Sequence, residues 1–105
     1  MAQFDVYANP SPRSRDWVPW VVDVQSNLLS ALPTRLVMPL TRLGLDLIHT
    51  PRRLAPQFLV QGERLALHAQ SAASLDARLL RKPVASLAAH AGEIRDAMDA
   101  VLSGI

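Results

Sequence analysis

The last quarter of this sequence has the periodicity of one amphipathic helix, whereas most of the segments before it do not. Apolar residues recur there at three- and four-residue spacings, as in the buried stripe of a helix: Val84, Leu87, Ala88, Ala91, Ile94, Met98, Val101 and Leu102. Pro83 fits the first turn, where a missing N–H donor does no harm. We therefore predict a helix from Pro83 to the final residues, packed on a fold built from other elements.

Those other elements have the pattern of β-strands. Apolar and polar residues alternate, with β-branched and aromatic types enriched, in residues 3–7, 17–26, 35–40, 57–60 and 64–69. Gly62 supplies a turn residue between the last two, which predicts a β-hairpin. Pro19 and Pro39 cannot donate to a ladder, so each is expected at a strand edge, strand start or bulge. The sum is several antiparallel strands followed by one C-terminal helix.

The segments between the strands predict loops in two places and leave the structure type open in two others. Prolines and small polar residues predict a loop over 9–16 and a connection over 27–34. Residues 41–55 fit either helical or extended structure, and 74–80 read as a strand with a helical alternative. The whole chain, residues 1–105, has the size of one small domain.

The charge of the chain is small for a nucleic-acid-binding protein. The formal net charge is +2, and ten of the eleven basic residues are arginines. They are scattered along the sequence: Arg13, Arg15, Arg35, Arg42, Arg52, Arg53, Arg64, Arg78, Arg81, Lys82 and Arg95. DNA-binding proteins concentrate such residues on one face, so this spread argues against direct DNA binding.

Other classes of protein are excluded by what the sequence lacks. There is no cysteine, so disulfides, iron–sulfur clusters and thiolate zinc sites are impossible. The first residues do not have the basic-then-apolar pattern of a signal peptide, and no apolar run is long enough to span a bilayer. We expect a cytoplasmic protein.

No constellation of residues indicates catalysis. His49, His68 and His90 are far apart and lack the spacing of metal ligands. The four glycines stand alone, without a phosphate-binding loop, and no serine has a nucleophile-elbow context. We expect a binding protein with no metal or cofactor, rather than an enzyme.

The predicted helix carries an apolar end. The sequence stops at Leu102-Ser103-Gly104-Ile105, with no polar tail after it, whereas terminal residues usually fray and are polar. We expect such an end either to tuck into a core or to be presented to a partner, and the pattern alone does not choose between them.

Several short segments, in order along the chain, resemble the CcdB family of toxins. They are Gln3-Phe4, Val6-Tyr7, the run from Val22 to Ser26 (Val-Asp-Val-Gln-Ser), Arg35, Val37, Pro39-Leu40, Gly62-Glu63, Ala73-Ser74 and the terminal Gly104-Ile105. The Val-Asp-Val-Gln-Ser run and the Gly-Ile end are the most specific. The resemblance covers essentially the whole chain, and the first loop is a few residues longer here.

The resemblance implies a fold and an activity. The fold would be an SH3-like, mostly antiparallel β structure with a small wing sheet and a C-terminal helix, assembled as a homodimer. Such toxins bind the A subunit of DNA gyrase and trap it on cleaved DNA. A cognate antitoxin neutralises them through an acidic, disordered C-terminal segment, and the two together repress their own operon, with the antitoxin contacting the DNA.

Carried over by position, the resemblance implies a gyrase-binding set. Its members are Ser26, Leu28, Leu29, Asp99, Leu102, Ser103, Gly104 and Ile105. The family has a tryptophan where this chain has Ser103, and that aromatic is central to gyrase binding. Trp17 and Trp20 do not obviously replace it, because packing in the core or wing is the expected role of both, with a new partner anchor as the alternative.

Arginines in loops are candidates for the antitoxin. An acidic segment could bind Arg13, Arg15, Arg52 and Arg53, and also Arg81 and Lys82, through charge-assisted hydrogen bonds. A role in solubility alone explains these residues equally well. Three hypotheses therefore remain open: a gyrase poison, a related protein that binds antitoxin but has lost gyrase poisoning, and an SH3-like barrel with an unrelated nucleic-acid or peptide ligand.

Overall fold

The computed structural model describes residues 1–44 and 50–104. Within these residues, seven strands and one α-helix follow in this order: β1 Asp5–Ala8, β2 Trp20–Asp23, β3 Thr34–Arg42, β4 Gln57–Val60, β5 Glu63–Leu67, β6 Ala73–Asp76, β7 Ala85–Ser86 and α1 Ala91–Ser103. The strands pair antiparallel in the order β4-β5-β3-β2-β1-β7, and β6 pairs with β3 outside that order. The sheet curls into a nearly closed, SH3-like barrel with one C-terminal helix, which confirms the predicted fold class.

Pro39 lies inside the long central strand β3, at the place where that strand changes partners. β6 pairs with residues 34–37 of β3 and β5 with residues 40–42. Pro39 falls between the two, and its carbonyl accepts a hydrogen bond from the His68 N–H at 2.9 Å. The missing donor therefore falls in a gap in the ladder, which is how a proline is accommodated away from a sheet edge. Pro19 directly precedes β2, as predicted.

The predicted hairpin is confirmed as β4 and β5. Val60 pairs with Glu63, which leaves Gln61 and Gly62 as a two-residue loop with φ angles of 53° and 79°. Two successive positive φ angles are typical of the type I′ turn, whose twist matches that of the strands. The Gln61 side-chain amide donates to the Val84 carbonyl at 3.0 Å, so this turn also ties β4–β5 to the segment beside β7.

Replacing Gly62 by Ala is expected to lower the free energy of unfolding by about 1 kcal/mol, because an L side chain is strained at positive φ. No atom lies within 4 Å of a Cβ added at Gly62, so strain alone is tested. Gly92→Ala, in the first turn of α1 and equally open, is the control and should leave stability unchanged or raise it. Urea unfolding of both variants measures the difference, and equal effects would contradict the turn assignment.

The helix begins eight residues later than predicted. β7 pairs with β1 in this segment, and the bonds continue on either side of it: the Val84 N–H donates to the Val6 carbonyl and the Leu87 N–H to the Phe4 carbonyl, both at 2.8 Å. A 3₁₀ turn over Ala88–His90 then leads into α1. Val84 and Leu87 have helical spacing, but sheet hydrogen bonds to β1 take the place of helical ones. The helical part of the stripe begins at Ala91, and Ala97 is also buried on it.

The remaining ambiguous segments are now assigned, apart from residues 45–49. Thr41 and Arg42 extend β3, and residues 51–54 form a turn. Within 74–80 the strand prediction holds for β6, whereas Ala77–Leu79 forms a 3₁₀ turn. The expected connection 27–34 begins with a 3₁₀ turn at Asn27–Leu29. Residues 45–49, including His49, lie outside the described part of the chain.

The two faces of the sheet carry two cores. One, the helix-side core, packs strand residues against α1: Phe4, Val6, Val22, Met38, Leu40, Phe58, Val60, Leu65, Leu67, Ala69, Leu87, Ile94 and Ala97. The other, the second core, comprises Tyr7, Val21, Val37 and Leu80. Neighbours along a strand fall in different cores because successive side chains point to opposite faces. The segment around Leu80 therefore covers the face of the sheet opposite the helix.

The second core contains a fully buried ion pair. The Arg35 Nε donates to Asp23 Oδ2 at 2.8 Å and Nη2 lies 2.7 Å from the same oxygen, with both side chains at most 1% exposed. Asp23 Oδ1 also accepts from the Gln25 N–H at 3.0 Å. The Tyr7 hydroxyl, buried on the same face, has no hydrogen-bond partner among the described residues, and burial raises the pKa of Tyr7.

Candidate partner-binding surface

The segment after β2 displays two leucines from a short, well-anchored turn. Ser26 begins the turn, and its side chain accepts from the Leu28 N–H at 3.2 Å. The Gln25 amide donates to the Leu29 carbonyl at 3.0 Å, which fixes the other end. Leu28 is 95% exposed and Leu29 49% exposed. Because these leucines are exposed, they contribute little to the core, and an anchored turn that displays them is suited to a protein–protein contact.

The described end of α1 is presented to solvent rather than tucked into the core. Leu102 is 77% exposed, and Asp99, Ser103 and Gly104 are exposed as well. Gly104 adopts φ 74° and donates its N–H to the Ala100 carbonyl at 2.9 Å, which is a left-handed helix cap. Ile105 lies outside the described residues.

Ser103 turns its hydroxyl back onto its own helix. The Oγ donates to the Asp99 carbonyl at 2.7 Å, a local bond that serines in helices commonly make. The side chain at the position of the family tryptophan is therefore short and engaged with the backbone, and it adds no apolar area to the tip.

A cavity beside the middle of α1 lies next to the N-terminal segment that contacts the turn. The backbone N–H of Gln3 donates to the side chain of Asn27, which belongs to the 26–29 turn, at 3.1 Å. Gln3 also lines a cavity of about 160 Å³ together with Val24, Arg95 and Met98. Gln3 thus links the 26–29 turn to a cavity lined by the middle of α1, but none of residues 26–29 lines that cavity. No hydrogen bond joins residues 26–29 directly to 99–104 within the described ranges.

The four arginines suggested for the antitoxin fall in two separate places. Arg13 and Arg15 lie on the 9–16 loop, where Arg15 Nε donates to the Asn9 carbonyl at 2.6 Å. Arg52 and Arg53 line a cavity of about 230 Å³ opposite Glu93 and Asp96 of α1. The second pair therefore faces carboxylates of its own chain, with which an acidic partner would compete.

The tryptophans divide between core and surface. Trp20 packs against the helix-side core, as expected. Trp17 is 50% exposed, and its carbonyl accepts from the Arg42 N–H at 3.0 Å. Trp17 was expected to pack in the core or wing, with an exposed partner anchor as the alternative. Its backbone is hydrogen-bonded while half of the residue remains exposed, so it is not part of the buried core.

The sequence did not predict that three of the loop cations named for an acidic partner lie together with Arg78. Arg15, Arg78, Arg81 and Lys82, scattered in sequence, line one surface cavity of about 470 Å³. Arg78 binds Asp76 at 2.8 Å, and its hydrogen bonds lower the pKa of that carboxyl to about 2. The sequence signal for this cluster was the basic pair Arg81-Lys82, which directly follows Leu79-Leu80. The position of Arg15 beside that pair depends on how the strands pair.

A small β-barrel with a C-terminal helix, an exposed apolar turn and an exposed apolar helix end defines a class of partner-binding proteins. The family model described as CcdB protein matches residues 3–104, and the chain belongs to the CcdB family. No curated protein matches the sequence. Within residues 1–44 and 50–104, none of the helices combines the length and apolar character that crossing a membrane takes.

Proposed function

We propose that this chain is the toxin of a type II toxin–antitoxin system, which binds the DNA gyrase A subunit and traps it on cleaved DNA. The observation that carries the proposal is the family match over residues 3–104. The exposed leucines at positions 28 and 102 support it, since exposed apolar side chains on rigid elements are what a partner can bury. The chain acts by binding and not by catalysis.

The proposed gyrase-binding surface comprises the 26–29 turn and the end of α1. Its members are Ser26, Leu28, Leu29, Asp99, Leu102, Ser103, Gly104 and Ile105. The protein works as a homodimer. An acidic antitoxin segment neutralises it by engaging the arginines of the 9–16 and 50–55 loops. Together with that antitoxin, the protein represses its own operon. Light scattering measures the dimer, and a monomer at micromolar concentration would contradict that part.

Leu102→Ser is expected to weaken gyrase binding about tenfold or more, because truncating an apolar interface anchor commonly costs over 1 kcal/mol. Leu59→Ser is the matched control: Leu59 is 61% exposed on β4 and is not a member of the proposed gyrase-binding set. The measurement is binding to the cognate gyrase A subunit, together with linear plasmid released from trapped cleavage complexes. No trapping by the unmodified chain would refute the poisoning function.

A second candidate function is a CcdB-like protein that binds antitoxin and takes part in autoregulation but no longer poisons gyrase. The observation in its favour is Ser103, whose hydroxyl is bonded to the Asp99 carbonyl where the family carries a tryptophan. Binding to the cognate antitoxin segment without measurable gyrase binding would support this function over the first.

A further inference from the structure

We propose that the basic cavity opposite the helix, lined by Arg15, Arg78, Arg81 and Lys82, binds phosphate groups of a nucleic-acid backbone. The proposal does not depend on gyrase binding, because the cavity lies on the other face of the sheet from α1. Leu80, which precedes Arg81, packs in the second core with Tyr7, and Tyr7 and Val6 point to opposite faces of β1.

The charge of this cavity is largely uncompensated. Among the described residues, Arg78 alone of the four cations pairs with a carboxylate, that of Asp76. The Arg15 Nε donates to the Asn9 carbonyl, and its two terminal nitrogens have no hydrogen bond in the described structure. Arg81 and Lys82 have no ion pair there either. Three cations around one concavity of about 470 Å³ create a local positive potential that the net charge of +2 conceals.

The backbone adds an unpaired edge to the same cavity. Hydrogen-bonding groups alternate between the two sides of an antiparallel strand, and the Val6 carbonyl accepts from Val84 on the β7 side. The N–H and C=O of Ala8, two residues on, therefore point to that side too. β7 covers only Asp5 and Val6, and Ala8 lines the cavity.

The free edge is too short for a peptide but suits a compact anion. An extended acidic segment would bind by adding a strand, which needs several consecutive unpaired residues. Here β1 ends at Ala8, the next amide (Asn9) bonds to the Pro19 carbonyl at 3.1 Å, and Pro10 has no N–H. Guanidinium groups match the oxygens of a phosphate in pairs. The arrangement favours phosphates carried on a DNA backbone. Arg15 belongs to this cavity and to the proposed antitoxin surface, so an antitoxin segment bound at Arg15 would compete with the DNA.

The test is fluorescence anisotropy of a labelled 20-base-pair duplex with the full chain at about 50 mM and higher salt. Arg81→Gln is expected to weaken binding about tenfold at the lowest salt and to reduce the slope of log Kd against log salt by about one. Arg64→Gln, which removes the same charge from an exposed position on β5, should leave both quantities nearly unchanged. Both side chains are exposed, so thermal melts should show equal folding.

Each other outcome overturns the assignment. If the unmodified chain does not bind the duplex, the cavity is not a nucleic-acid site. If both variants weaken binding equally, the binding reflects the overall charge of the protein and not this cavity. Inorganic phosphate that displaces the duplex at micromolar concentration would indicate a free-phosphate site instead of a backbone site. A polyglutamate peptide that binds more tightly than the duplex, with the same sensitivity to Arg81→Gln, would show that the cavity is a protein-binding site.

Discussion

Asp23→Asn is expected to lower the free energy of unfolding by about 3–5 kcal/mol, the largest stability effect of any single change proposed for this chain. The Asp23–Arg35 pair is at most 1% exposed. Removing one charge leaves the guanidinium buried without its counterion, and that uncompensated charge is the source of the loss. Since small domains have a total stability of only about 5–15 kcal/mol, the variant will be close to unfolding at 37 °C.

The double variant Asp23→Leu/Arg35→Met separates charge from packing. Replacing both members by apolar residues removes the desolvation cost together with the attraction, so it should recover most of the loss. Tyr7→Phe is a second control on the same face: it removes a buried hydroxyl that has no partner, so stability should stay the same or rise by about 1 kcal/mol. Urea unfolding at one fixed protein concentration measures all of them. A loss below about 1 kcal/mol for Asp23→Asn would contradict the importance of the pair.

Ser103→Trp is expected to strengthen binding to the cognate gyrase A subunit by about 30- to 1,000-fold. A buried tryptophan anchor commonly contributes about 2–4 kcal/mol at an interface. Position 103 is exposed in the last turn of α1, next to Leu102, so a large side chain can be added without a clash with the core. The gain should appear as a slower dissociation rate and as more trapped cleavage complex.

Ser103→Ala is the control for the hydroxyl bond to the Asp99 carbonyl. It removes that bond without adding area, so gyrase affinity should change less than about threefold. If Ser103→Trp restores poisoning to a chain that otherwise lacks it, the second candidate function is supported and the loss is localised to one position. Strong poisoning by the unmodified chain would refute that candidate, and unchanged affinity in Ser103→Trp would remove the tip from the proposed gyrase surface.

Local patterns were sufficient where local bonds decide the structure. The hairpin was predictable because alternating residues flank a Gly that tolerates positive φ, and β4, Gly62 and β5 need little else. The start of α1 was not predictable in the same way. Val84 and Leu87 satisfy helical spacing, yet hydrogen bonds to Val6 and Phe4, some 80 residues away in sequence, make that segment extended.

The candidate surfaces divide along the same line. Leu28 and Leu102 were assigned by resemblance, and their exposure is what a partner surface needs. The bond from the Ser103 hydroxyl to its own helix was not predicted from the sequence. The basic residues are scattered in the sequence, but four of them line one cavity in the structure. Pairing of β1 with its neighbours brings Arg15 beside Arg81 and Lys82, and the proposed phosphate contact rests on this grouping.

By itself, the sequence determined the fold class, the hairpin, the family and the apolar character of the chain end, because each rests on residues that are near one another or on an ordered series of motifs. Only the tertiary structure decided which residues of the predicted helix belong to the sheet instead, which charges are buried as a pair and which charges line one cavity. Those outcomes depend on contacts between distant segments. Their hydrogen bonds and ion pairs outweigh local preference, since tertiary contacts and not propensity supply most of the stability of short elements.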